Sequence, residues 1–368
     1  MNNNTFGDKW SFTSFGESHG AAVGGVLDGV PAGLHIDMNL IREELARRAG
    51  KHSTLNTQHS TPFSPSERGS GGVPTPPVSP RALREPDEVE WLSGVINDNS
   101  QLSTVNFQLH STLNTQHSTA LVTLGTPIAF IIRNKDARPE DYEWLKHSYR
   151  TGHADKVYEL KYGIRDWRGG GRASARETAA RVVAGCIAKQ HLAAKGVHIH
   201  ARLVQVGSET DPARFAQTIA DYQRQGDSIG GIVECTVTGL PAGTGEPLFH
   251  KLQAELAFAV MSINACKGFE YGTGFAGVTQ PGSAINHLSG GIAGGISDGT
   301  PLTFRAVFKP TPSTPKALAN VQGDDVPCTN VQGDDVQCTK VGRHDPCVAV
   351  RAVPVVEAMT ALALVNFL

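Results

Sequence analysis

The 368-residue chain is short of charge and of aromatic side chains, at 18% and 7%. It carries no surplus of either sign, with 33 Lys and Arg against 35 Asp and Glu and a formal net charge of -2. Without a basic bias, nucleic acid is not an expected partner. Six cysteines (186, 235, 266, 328, 338, 347) are scattered with no C-x-x-C pair. That spacing argues against a zinc ribbon or a disulfide framework and fits reduced thiols. No apolar run reaches membrane-spanning length, and VVEAMTALALVNFL (355–368) is interrupted by Glu357, so it reads as a buried helix. The opening MNNNTFGDKW lacks a basic-then-apolar signal pattern. The expectation is a cytoplasmic protein with no membrane partner.

Glycine and proline are plentiful instead, 40 and 21 residues, which implies many tight turns. The densest chemistry lies in IRDWRGGGRASARE (164–177). Arg165, Arg168, Arg172 and Arg176 surround Gly169–Gly171, and Ser174 and Glu177 stand at the S-x-x-E spacing of a capping box. Glycines allow close backbone approach, a helix N-terminus offers N–H groups and a positive dipole end, and arginine adds bidentate donors. The following AARVVAGCIAKQHLAAKG places Val182, Val183, Cys186 and Ile187 at helical spacing, so the arginines lie near the protein body. This segment predicts a polyanion site.

WSFTSF and AAVGGVLDG flank the turn GESHG as a strand pair, and residues 38–49 form an amphipathic helix ending at Gly50. REPDEVEWLSGVI, TPIAFIIRN, VHIHARLVQVGS, GGIVECTVTG and PLTFRAVF read as strands; 173–195, 212–225, 248–265 and 352–367 read as helices. No regular βαβ rhythm connects them, so the fold class is α+β. HSTLNTQHST occurs identically at 52–61 and 110–119, and NVQGDDVPCT (320–329) is followed by NVQGDDVQCT (330–339). Two near-perfect copies do not make a solenoid. They are read as low-complexity insertions at about 51–83, 98–122 and 316–340 within one domain spanning 1–368.

Further clusters stand at Gly16-Glu17-Ser18-His19-Gly20, Tyr149-Arg150-Thr151-Gly152-His153-Ala154-Asp155, Lys309-Pro310-Thr311-Pro312-Ser313 and Gly342-Arg343-His344-Asp345-Pro346-Cys347. Together with RDWRGGGRASARET, MSINACKG, GGIAGGISDG and the closing VRAVPVVEAM, in this order, they resemble the chorismate synthase family. The resemblance implies two antiparallel sheets around a helical layer, a homotetramer, and a lyase. The implied reaction is an anti-1,4 elimination of phosphate from 5-enolpyruvylshikimate 3-phosphate, using reduced FMN without net redox change. A flavin reductase or external reductant is then an expected partner.

By the same resemblance, Arg48, Arg150 and Arg176 are expected to bind substrate. Arg172, Ala173, Ser174, Asn264, Ala265, Gly294, Lys309, Pro310, Thr311, Pro312, Ser313 and Arg343 are expected to hold the flavin. His19 corresponds to the histidine that protonates the flavin, His153 to the general acid at the departing phosphate, and Asp345 to the carboxylate implicated in hydrogen removal. Histidine suits proton transfer because its ordinary pKa lies near working pH.

The chain departs from the family pattern after Arg48, where a glycine-rich turn with another arginine is replaced by Ala49-Gly50-Lys51 and then His52, Ser53 and Thr54; Lys51, Arg68 or Arg81 are the nearby cations. Leu288 is also additional to the pattern. The competing reading is a catalytically impaired flavin-binding homologue with a damaged substrate-phosphate site. A metal hydrolase built on His52, His59, His110 and His117 lacks a carboxylate at ligand spacing, so no metal is expected. A dinucleotide fold at GGIAGGISDG lacks the strand and helix it needs.

Overall fold

The structure, a computed structural model, describes residues 4–51, 84, 87–97, 120–150, 152–283, 289–316, the backbone of 328–330, and 345–368. The first half of the chain supplies β1 (Thr5–Phe6), β2 (Ser11–Phe15), β3 (Ala22–Asp28), β4 (His35–Asp37) and helix α1 (Met38–Arg48). Then come β5 (Val89–Trp91), β6 (Val95–Asn97), β7 (Ala120–Thr123), β8 (Ile128–Arg133), β9 (Ser148–Arg150) and α2 (Asp155–Tyr162). The second half supplies α3 (Thr178–Ala194), β10 (His198–Val206), α4 (Pro212–Arg224), β11 (Gly231–Thr238), α5 (Leu252–Met261) and β12 (Cys266–Tyr271). It closes with the hairpin β13 (Ile292–Ala293) and β14 (Ile296–Ser297), β15 (Leu302–Phe308), β16 (Cys328–Asn330) and α6 (Ala349–Leu364).

Strands β1-β2-β3-β8-β5 form one antiparallel sheet, and β10-β11-β15-β12 form another. In β8, β11 and β15 buried and less buried positions alternate, as one-sided burial of a pleated strand requires. Between the sheets lie α3 and α6, which are apolar around most of their circumference, the pattern of helices enclosed on all sides. Helix α3 packs on β3 and β8, α6 on β10 and β11, and the two helices on each other. The α+β sandwich expected from the sequence is therefore present, and most of its buried apolar residues form one connected cluster.

The two helices approach closely at Gly185, where an added Cβ would come 2.3 Å from the Ala358 Cβ and 2.4 Å from its Cα. Neither helix backbone can yield that distance cheaply. Gly185→Ala is expected to destabilise the fold by about 1–3 kcal/mol, seen as a lowered denaturation midpoint in urea; an unchanged midpoint would show that the helices slide freely.

Charge crosses the same layer. The Glu357 carboxylate on α6 is fully buried and accepts from Arg47 of α1 (2.9 and 3.0 Å), Lys189 of α3 (2.5 Å) and the Ala201 amide of β10 (2.8 Å). Glu44 receives Arg47 and Lys189 as well, each at 2.7 Å. Burial alone would raise the Glu357 carboxyl, but Lys189 and Arg47 outweigh it and hold the group well below the ordinary carboxylate range.

Several boundaries differ from the sequence reading. REPDEVEWLSGVI is not one strand: Gly94, at φ +79°, turns the chain so that β5 joins the five-stranded sheet and β6 the three-stranded sheet β4-β7-β6. The span read as an insertion at 98–122 contains the start of β7, and the one at 316–340 contains β16, which pairs with β9. Apart from Lys316, the rest of both, like 52–83, lies outside the described residues. The helix expected at 173–195 begins only at Thr178, the one at 248–265 shortens to α5, and the one at 352–367 starts at Ala349.

Candidate active site

The late start of α3 follows from the glycines ahead of it. Gly169, Gly170 and Gly171 have φ of +64°, +89° and +53°, a backbone path closed to most side chains. They lead into two short 3-10 turns, Gly171–Ala173 and Ala175–Glu177. The Ser174 hydroxyl accepts from the Arg176 amide at 3.4 Å and so caps the second turn. Glu177 does not complete a capping box; it pairs with Arg181 at 3.0 Å. At Gly169 an added Cβ would lie 2.3 Å from the His19 ring, so the glycine run is also the seat of that imidazole.

A cavity of about 680 Å³ opens here. His19, Arg48, Arg150, His153, Arg172, Ala173, Ser174, Arg176, Asn264, Ala265, Lys309, Pro310, Thr311, Pro312 and Asp345 line it, which brings together most of the residues expected from the sequence. Ser313 joins through His153, whose Nε2 lies 2.5 Å from the Ser313 hydroxyl. Gly294 stands apart. With Gly295, which lies against Glu246 and Lys251, it makes the turn of the β13–β14 hairpin, and it does not line the cavity. Arg343 and Leu288 lie outside the described residues, as do His52, Arg68 and Arg81. No helix among the described residues is long and apolar enough to cross a membrane, and none of them form a cluster of three metal-binding side chains.

The arginines divide by task. Arg48, buried at the end of α1, donates from Nε to the Thr178 hydroxyl (2.9 Å), from Nη2 to the carbonyls of Ala175 (2.8 Å) and Arg176 (3.4 Å), and from Nη1 to Asp87 (3.2 Å). Burial pushes its guanidinium down to about 9, with Arg351 and Arg176 adding to the effect against Asp87. Such crowding of cations is relieved by an incoming anion. Arg176 donates to Asn134 Oδ1 (2.9 Å), to the Arg133 carbonyl (3.3 Å) and to the other oxygen of Asp87. Arg150 grips Asp155 in a two-pronged pair (2.9 and 2.8 Å). Arg172, expected to face a ligand, donates to the carbonyls of Gly16 (3.1 Å) and Ser14 (3.2 Å) and to the Ser14 hydroxyl (2.5 Å). It thereby ties the glycine run to the turn carrying His19. Arg165 and Arg168 are held by Glu159 and Asp166, each at 2.8 Å.

His19 is buried, with Nδ1 3.1 Å from the Ser18 hydroxyl and its ring edge-on to Tyr142. Asp345 accepts from Arg351 at 2.6 Å, and Arg351 also donates to the Arg48 carbonyl at 2.9 Å. Lys309 donates to the Gly152 carbonyl at 2.9 Å; burial, and then Lys267, lowers its ammonium pKa. Asn264 donates to the Ala173 carbonyl at 3.0 Å, while its buried Oδ1 has no partner among the described residues. Its neighbour Ala265 is the one described non-glycine residue at positive φ, +66°. Strain of that kind persists where surroundings impose it, commonly at a ligand site.

Asp87, Asn134, Arg351 and Tyr142 were not singled out from the sequence. Asn134 donates to the carbonyls of Glu17 (3.0 Å) and Gly20 (2.9 Å) and so fixes the GESHG turn from β8. Nothing in the local spacing of these residues announces a site.

The sandwich and a cavity walled by arginine, lysine and two histidines define an enzyme acting on a polyanionic small molecule. The sequence model described as Chorismate synthase matches residues 10–62 and 67–368. The chain is 40% identical to the chorismate synthase of Christiangramia forsetii, over 100% of this chain and 98% of the relative, and 41% identical to that of Porphyromonas gingivalis, over 99% and 95%. A crystal structure of chorismate synthase superposes with a TM-score of 0.65 at 25% identity, covering 98% of this chain and 92% of that one. The chain belongs to the chorismate synthase family, whose members are lyases.

Proposed function

We propose that this chain catalyses the anti-1,4 elimination of phosphate from 5-enolpyruvylshikimate 3-phosphate to give chorismate, with reduced FMN as cofactor. The observation that carries the reading is the convergence of Arg48, Arg150, Arg176 and Lys309 with His19 and His153 on one cavity. A substrate with a phosphate and two carboxylates needs several cations in a wall that limits water. The impaired-homologue reading is not favoured, because the relatives match the chain from end to end.

The flavin site has donors and acceptors to suit a planar heterocycle carrying a phosphate tail. Asn264 Oδ1 is an acceptor awaiting a donor, and the bend at Ala265 sets backbone beside it. Ala173, Ser174 and the Lys309–Ser313 turn complete the set, and Arg343 is assigned to it by family likeness alone. When bound, the reduced flavin supplies transient electron density that eases departure of phosphate. The chain's own groups manage protons. His153, hydrogen-bonded to Ser313 across 2.5 Å, gives a proton to the departing phosphate oxygen. His19, held by Ser18 and Tyr142, would donate a proton to a bound flavin. Asp345, paired with Arg351, takes the proton lost from the ring. The working unit is a single domain spanning 1–368, in the cytoplasm, assembled as a homotetramer and fed reduced flavin by a reductase or another external reductant.

Anaerobic incubation of the full chain with chemically reduced FMN and the substrate is the test. The expected result is release of phosphate and chorismate in equal amounts. Flavin binding without phosphate release would sink the proposal in favour of the impaired homologue.

A further inference from the structure

Two of the substrate-site arginines already hold an anion. Asp87 lies in the segment leading to β5 with its side chain buried, Oδ2 on Arg48 Nη1 at 3.2 Å and Oδ1 on Arg176 Nη1. The remaining donors of Arg48 are engaged with Thr178, Ala175 and Arg176, while Arg176 gives Nε to Asn134 and Nη2 to the Arg133 carbonyl. The Nη1 edges of both guanidiniums therefore converge on one carboxylate at the cavity wall. A phosphate or carboxylate arriving at these edges must share them with Asp87 or displace it. Either way it meets a like charge a few ångströms off, where burial weakens screening.

We propose that Asp87 is a positioning residue that serves as a resident counter-anion. It holds Arg48 and Arg176 in register while the cavity is empty, and it repels the anionic group that those arginines bind, so that the product anion is released rather than retained. The inference rests on the reading that Arg48 and Arg176 meet the ligand's anionic group. It differs from a purely structural role in the sign of its effect. Loss of a scaffold residue loosens the arginines and weakens anion binding. Loss of a resident competitor, with its shape kept, tightens it.

Asp87→Asn keeps the size and an acceptor oxygen while removing the charge. Calorimetric titration of the full chain with inorganic phosphate is expected to show a Kd about tenfold lower in Asp87→Asn than in the unaltered protein. In turnover the variant is expected to show KM and kcat falling together, because release slows. An equal or higher Kd for phosphate overturns the proposal. If Asp87→Asn does not fold unaided, Asp87→Ser is melted with and without phosphate. A larger rise in Tm than in the unaltered protein at the same concentration supports the role, and an equal or smaller rise overturns it. The phosphate titration needs neither flavin nor turnover. An unaltered protein that fails to make chorismate while Asp87→Asn binds phosphate more tightly would sink the proposed reaction alone. Turnover with phosphate affinity unmoved by the substitution would sink only the role of Asp87.

Discussion

His153→Ala is expected to lower kcat for phosphate release by about a hundredfold to ten-thousandfold, the range for removing a positioned general acid, with substrate KM little changed. The residue sits just ahead of α2, lines the cavity, and meets the Ser313 hydroxyl at 2.5 Å. Its removal takes away the proposed proton donor but none of the arginines proposed to bind substrate, Arg48, Arg150 and Arg176. Ser313→Ala should cost much less, about tenfold, because it removes one hydrogen bond to the imidazole and leaves the imidazole in place. Anaerobic single-turnover assays on both variants with reduced FMN give the comparison. His153→Ala activity above a tenth of the unaltered value would end the assignment of His153 as the acid.

The largest effect on stability is expected at Glu357. Glu357→Ala leaves Arg47 and Lys189 inside the helical layer with Glu44 as their one remaining shared carboxylate among the described residues, a loss of about 3–5 kcal/mol. Glu357→Gln keeps the volume and an acceptor for the Ala201 amide, and should lose less. The sign of the pH dependence follows from the lowered carboxyl. Its unfolded value lies near ~4.3 and its folded value below that, so its contribution is complete above the unfolded value and is lost as pH falls through the folded one. Urea denaturation at pH 7 and at pH 4 tests both points. Glu357→Gln should narrow the gap between the two pH values relative to the unaltered protein. An unchanged gap would mean that other carboxylates govern acid unfolding.

Much of this architecture was readable in the chain itself. Alternation in TPIAFIIRN and GGIVECTVTG, and helical spacing in Val182, Val183, Cys186 and Ile187, report burial through neighbours only a few residues apart. The cationic loops were legible as motifs because each concentrates its chemistry within a few positions. Asp87 was not, since its partners are Arg48 and Arg176, 39 and 89 residues away, and beside Pro86 it reads as surface charge. Arg351 reads as one more helix residue, because its partner Asp345 lies ahead of the helix in a separate loop motif. The mistaken capping box has a different cause. Ser174 and Glu177 satisfy the spacing, but three successive positive-φ glycines deliver the chain in 3-10 turns, and Glu177 turns to Arg181. Gly294 shows the opposite limit: a glycine-rich string names a turn, not its place in the molecule.

Arg48 links the site to the order in which the chain acquires its structure. Its guanidinium, delivered by α1, is seated on the Ala175 and Arg176 carbonyls that lead into α3, while Arg351 of α6 closes on the Arg48 carbonyl. The anion pocket is thus absent until three sequence-distant helices have docked. Contacts of such separation are slow to form because loop closure must precede any reward from them. Phosphate affinity is then expected to appear late in refolding, after helical signals have recovered, in a stopped-flow experiment that follows both. A bound polyanion acts in turn as a clasp that slows unfolding from the helical layer outward.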